Sequence, residues 1–67
     1  MTISYNKLWK LLIDKKYTKM QLCEESGITT NAMARMGRDE DVRLGTLVKI
    51  CELFDCDLDD IVEIIRD

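Results

Sequence analysis

Three cysteines and one acidic run are the side chains of this 67-residue sequence that first suggest chemistry. Cys23 stands alone, Cys51 and Cys56 have four residues between them, and Asp55-x-Asp57-x-Asp59 overlaps their end of the chain. A structural zinc site needs four Cys or His ligands. The sequence has no Cys-x-x-Cys pair and no histidine to complete such a set. Two of the cysteines fall where small or apolar core residues are wanted, so reduced, buried thiols are expected rather than a metal site or a disulfide. The aspartates resemble the start of a calcium loop, which wants Gly at its sixth position and a bidentate Glu at its twelfth. Asp60 and Arg66 stand there instead, so helix capping and surface charge explain the run better. Without histidine the commonest general base and the Ser-His and Cys-His nucleophile pairs are missing. No catalytic residue, metal or cofactor is expected, and the chain does not read as an enzyme.

What remains is a recognition problem, and composition bounds it. Apolar residues make up 46% of the chain and charged residues 34%, a globular balance rather than a disordered one. No apolar run approaches the roughly 18 residues of a membrane span, and the N-terminus lacks a basic-then-apolar export signal. A cytoplasmic protein is expected, with residues 1–67 forming one domain. The net charge of −3 argues against an anionic partner until it is split. Residues 1–38 carry seven basic side chains against three acidic ones, net +4. Residues 39–67 carry three against ten, net −7. Docking depends on the local field, and the field of the first half is positive.

The spacing of apolar residues predicts helices almost throughout. A first helix runs from a Ser4 cap to about Lys16, with Leu8 and Leu12 inward. Thr18-Lys19-Met20-Gln21 fits a capping box that opens a second helix, and Gly27 closes it in a left-handed conformation. Thr29 caps a third helix over about 30–36 with Met33 and Met36 inward, and Gly37 stops it. A fourth helix, about 44–54, presents Leu47, Ile50, Cys51 and Phe54. Asp57 then caps a fifth carrying Leu58, Ile61, Val62 and Ile65. The fold class is all-α, five short helices. Trp9 is placed either between the first and fifth helices or on a contact surface.

The second and third helices, joined by Gly27-Ile28-Thr29, form a helix-turn-helix if they cross steeply. A steep crossing needs a small residue at the contact, and Cys23 is placed for it. Leu22, Ile28, Met33 and Met36 supply the apolar anchors. Here the sequence resembles the Cro and lambda-repressor-like (XRE-type) family of helix-turn-helix DNA-binding proteins, over nearly its whole length and with the motif at about 18–37. Leu22-Cys23 stands where Leu-Ala is usual, Gly27-Ile28 matches the turn, and Met33 and Met36 match inward positions. Leu47-x-x-Ile50-x-x-x-Phe54-x-Cys56-x-Leu58-x-x-Ile61 is similar to the family's fourth and fifth helices. Tyr5-Asn6-Lys7-Leu8-Trp9 and Cys51…Cys56-Asp57…Asp60-Ile61-Val62 resemble a subgroup of very small single-domain regulators. The chain departs from the family at Ser26, at Gly37-Arg38-Asp39, at Arg43 in a usual Ser cap position, and in the acidic cluster Asp39-Glu40-Asp41.

The resemblance implies that the third helix enters the major groove of duplex DNA. Carried over by position, Thr30, Asn31, Ala34 and Arg35 meet bases: Asn suits adenine, Arg guanine, and Ala a thymine methyl. Thr18, Lys19, Thr29, Arg38 and Arg43 meet phosphates. Thr30 and Asn31 also suit plain capping, and Arg35 and Arg38 suit solvated helix ends. The implied protein is a bacterial, plasmid or phage transcriptional repressor that binds a palindromic operator as a homodimer. The apolar excess at 61–65, from Ile61 to Ile65, is the candidate dimer contact. The other reading is an antitoxin-like protein-binding module that uses the same fold and its acidic second half.

Overall fold

Apolar residues recur at three- and four-residue spacing along most of the chain. In the computed structural model, which describes residues 1–66, that spacing folds as four α-helices. They are α1 (Asn6–Lys15), α2 (Lys19–Ser26), α3 (Thr30–Gly37) and α4 (Leu44–Phe54). Asp67, the last residue of the expected domain, lies outside the described residues. Three of the helices bury a pair at i, i+3 or i+4: Leu8 and Leu12 in α1, Met33 and Met36 in α3, Leu47 and Ile50 in α4, while α2 buries Leu22. With Tyr5, Leu22, Ile28 and Ile61 these form one continuous core. Fully burying an aliphatic side chain of this size stabilises by about 1.5–3 kcal/mol, so the core rather than helix propensity holds the elements.

The local signals for α2 and α3 operate as their chemistry dictates. Thr18 Oγ1 accepts from the Gln21 N–H at 3.1 Å, and Gln21 Oε1 accepts from the Thr18 N–H at 2.8 Å, a complete capping box. Gly27 closes α2 at φ 80°, its N–H donating to the Cys23 carbonyl at 3.0 Å. Thr29 Oγ1 accepts from the Ala32 N–H at 3.1 Å.

Two boundaries differ from the sequence expectation. Ser4 does not begin α1. It ends a short strand, β1 (Thr2–Ser4), and its hydroxyl accepts from the Asn6 N–H at 3.3 Å. Gly37 does not stop α3 but is its last residue, and Asp39 makes the left-handed turn at φ 55°. There the Asp39 N–H donates to the Met36 carbonyl (3.1 Å) and the Glu40 N–H to the Arg35 carbonyl (2.9 Å). This pair of reversed bonds is the Schellman closure, with Asp in the place Gly usually takes. Lys16 and Asp55 close α1 and α4 in the left-handed region as well.

The expected fifth helix is the main correction. Residues Leu58–Asp60 make one 3-10 turn, and the chain then extends into β2 (Glu63–Ile65). β2 pairs antiparallel with β1 in the register Thr2↔Ile65, Ile3↔Ile64 and Ser4↔Glu63. The fold is therefore mostly helical, with a two-stranded sheet joining its ends. Ile61, Val62, Ile64 and Ile65 are β-branched, which weakens helix and favours strand. The deciding factor is β1, some sixty residues away in sequence, which supplies the ladder partners. Ile61 is buried in the core, while Ile64 and Ile65 are 60% and 41% exposed on the sheet.

Candidate nucleic-acid interface

Burial of Met33 and Met36 fixes the rotation of α3 about its own axis. Thr30, Asn31, Ala34 and Arg35 are then all exposed, within about 140° of arc on the opposite side. Leu22 from α2 and Ile28 from the turn share the same core, so the exposed stripe is held by packing on its far side. Asn31 and Arg35, one turn apart, line a groove with Thr29, Arg43 and Thr46. The groove brings together two of the expected base readers and two of the expected phosphate contacts. Asp41 lies in it too and makes its rim acidic at one point.

The other expected phosphate contacts sit apart from the groove. Thr18 is the cap of α2, and Lys19 is that helix's first residue. Thr18 and Thr29 use their hydroxyl oxygens as acceptors for backbone amides, which leaves each O–H able to donate to an anion. Lys19 Nζ lies 4.5 Å from the centre of the Trp9 ring. Trp9 is half-buried against the core and forms the shelf beneath this cation, and the cleft against a fifth helix, one of its two expected settings, does not exist because that helix does not form.

Arg38 is engaged within the protein. Its Nε donates to Glu40 Oε2 at 2.7 Å and its Nη2 to Glu40 Oε1 at 3.5 Å. Arg35 Nη1 lies 4.0 Å from the same Oε1. The hydrogen-bonded Arg38 guanidinium holds the Glu40 carboxyl below the usual carboxylate range, with Arg35 adding to it, and Glu40 raises Arg38 in return. The backbone of Glu40 is fixed by Tyr5, whose hydroxyl donates to the Glu40 carbonyl at 2.7 Å. Burial, with Asp41 and Asp39 nearby, raises the Tyr5 phenol.

Glu40 and Thr46 are members of this surface that sequence reasoning missed, and the seat of Trp9 beneath Lys19 has no signature in the sequence. Trp9 lies ten residues before Lys19, and Thr46 is an ordinary residue of the first turn of α4. The only sequence signal for Glu40 is its charge close after Arg35 and Arg38.

The cysteines are half-buried and free. Burial pushes the Cys56 thiol up to about 11, with Cys51 adding to the effect, and raises Cys23 and Cys51 too. Raised thiols are poor nucleophiles and poor metal ligands at neutral pH. The carboxylates of Asp57, Asp59 and Asp60 gather on the surface, where Asp60 Oδ2 accepts from the Asp57 N–H at 2.9 Å.

Two short helices joined by a Gly turn, the second locked by methionines and showing a polar stripe, define a helix-turn-helix domain. Over residues 7–67 the chain matches the model of the Cro/C1-type HTH DNA-binding domain, and it belongs to that family. It is also similar to the crystal structure of transcriptional regulator VanUg, Form II. The identity is 44% and the TM-score 0.93, over 98% of this chain and 88% of that one. No curated protein matches the chain significantly. No helix among the described residues is long and apolar enough to cross a membrane.

Proposed function

We propose that this protein is a sequence-specific transcriptional regulator that reads duplex DNA through the major groove with α3 and represses by occupying promoter DNA. The observation that carries this reading is the polar stripe of α3, exposed opposite its two buried methionines. In it Asn31 and Arg35 read adenine and guanine edges, each worth about 1–3 kcal/mol of discrimination. Thr30 makes a further polar contact and Ala34 meets a thymine methyl. Thr18, Lys19, Thr29, Arg38 and Arg43 hold the phosphates on either side, helped by the free amides at the starts of α2 and α3.

The chain acts as one helix-turn-helix unit and pairs as a homodimer on a palindromic site, the two α3 helices about 34 Å apart. Ile64 and Ile65, exposed on β2, are the surface for that pairing. Ile61 is not part of it, because the core uses it.

Selection of binding sites from random duplex DNA at two salt concentrations tests the reading. The expected result is an enriched inverted repeat, bound with a salt slope of about −4 to −5 per protomer from four to six phosphate contacts. Arg35→Ala removes the preference at one base pair of each half-site while the helical circular dichroism is kept. No enriched sequence together with no salt dependence would sink the proposal.

A further inference from the structure

We propose that Glu40 is a built-in competitor for DNA phosphate: it occupies Arg35 and Arg38 in the free protein and thereby suppresses binding to unmatched sequence. The inference rests on the DNA-binding function proposed above and adds a specificity-determining residue to it.

The placement of Glu40 is fixed by backbone rather than by chance of rotamer. Its N–H is bonded to the Arg35 carbonyl and its carbonyl accepts from the hydroxyl of Tyr5, a fully buried side chain. A peptide tied at both ends delivers its carboxylate to one place, the C-terminal end of the recognition helix. There one oxygen meets Arg38 Nε at 2.7 Å, while the other lies 3.5 Å from Arg38 Nη2 and 4.0 Å from Arg35 Nη1. A carboxylate gripped by a guanidinium fork uses the same donors that grip a phosphate. When DNA arrives, Arg38 therefore exchanges an internal anion for a phosphate, and Arg35 leaves the same carboxylate to meet a base edge.

The strength of the clamp suits a competitor. The side chains of Arg35, Arg38 and Glu40 are 57%, 60% and 44% exposed. Ion pairs so open to water are weak. Unmatched DNA offers only phosphates, so the exchange gains little there. A matched site adds base contacts to Asn31 and Arg35, which carry the exchange forward. Asp39 and Asp41 have the same charge, yet among the described residues neither is paired with an arginine, so they repel DNA only as part of the general field.

Glu40→Gln keeps the backbone bonds and removes the anion. Asp39→Asn removes an equal charge beside it, and Asn tolerates the left-handed φ of 55° there. The probes are one labelled random-sequence duplex and the duplex selected as above, titrated over a range of salt, with circular dichroism to confirm folding. Glu40→Gln is expected to bind the random duplex about three- to tenfold more tightly, and Asp39→Asn less than about twofold. The salt slope on the random duplex steepens by about one for Glu40→Gln. Affinity for the selected duplex changes less, so the specificity ratio falls. In an Arg38→Ala background the gain from Glu40→Gln shrinks. Equal gains from the two charge removals, or an undiminished gain without Arg38, would overturn the competitor and leave the DNA-binding function standing. If neither the wild type nor Glu40→Gln binds any duplex at low salt, both fall together.

Discussion

The two connections that flank the recognition helix are built on opposite principles. Before α3, Gly27-Ile28-Thr29 makes its turn from its own residues. Gly27 takes the left-handed conformation, Ile28 goes into the core, and Thr29 caps the next helix. After α3, residues 38–43 contain no Gly. Asp39 turns the chain left-handed, and the Tyr5 hydroxyl, thirty-five residues from Glu40 in sequence, holds the next peptide. The first turn joins the two helices of the motif, and its hold comes from its own residues. The second presents Glu40 to the arginines of α3, and its hold depends on the rest of the fold. A local turn is legible in a sequence; a turn held from across the molecule is not.

Substitutions can break or sharpen this contrast. The largest effect is expected at the local turn. A Cβ built on Gly27 meets nothing within 4 Å, so Gly27→Val is opposed first by backbone strain, which for a β-branched residue at φ 80° costs about 2 kcal/mol. Chemical denaturation checks the value, and Gly27→Asn should recover much of it. Tyr5→Phe comes next, costing about 1 kcal/mol through the hydrogen bond lost at the Glu40 carbonyl. Amide exchange should then quicken at Asp39 and Glu40 and stay unchanged at Gly27. Asp39→Gly relieves the left-handed cap and should stabilise by about 0.5 kcal/mol. A destabilised Asp39→Gly protein would show that the Asp side chain contributes something the geometry does not reveal.

The smallest effect is electrostatic. Arg38 holds the Glu40 carboxyl below its ordinary range, so the folded state favours the ionised form. Its contribution is complete above the carboxyl pKa of the unfolded chain and is lost as pH falls through the lower folded value. The stability difference between wild type and Glu40→Gln should therefore close on acidification. A difference that widens instead would contradict the pairing.

The same distinction sorts what the sequence revealed about the fold. Capping boxes, the Gly27 turn and paired apolar residues act within one or two turns of helix, so α2, α3, α4 and the outward stripe of α3 could be read from spacing. The ends of α1 and α4 fall where spacing puts them, but the left-handed closures at Lys16, Asp39 and Asp55 have no sequence signal, because none of the three is Gly. The tail was misread as a helix because Leu58, Ile61, Val62 and Ile65 fit helical spacing, while their pairing with Thr2, Ile3 and Ser4 has no local signature. At the candidate site the exposure of Thr30, Asn31, Ala34 and Arg35 was legible in the spacing, whereas the stacking of Trp9 under Lys19 and the pairing of Glu40 with Arg35 and Arg38 were not.

By itself the sequence determined the helix-turn-helix: two caps, one glycine and a handful of apolar positions suffice, because hydrogen bonds and packing between near neighbours fix it. It also determined a positive first half and a negative second half. Only the tertiary structure decided how those charges meet. Folding the loop after α3 onto Tyr5 turns Glu40 from one more repelling charge into the partner of Arg35 and Arg38, and pairing the two chain ends turns an apparent helix into a strand. Both outcomes depend on groups far apart in sequence, whose distances are set by the closing of the core.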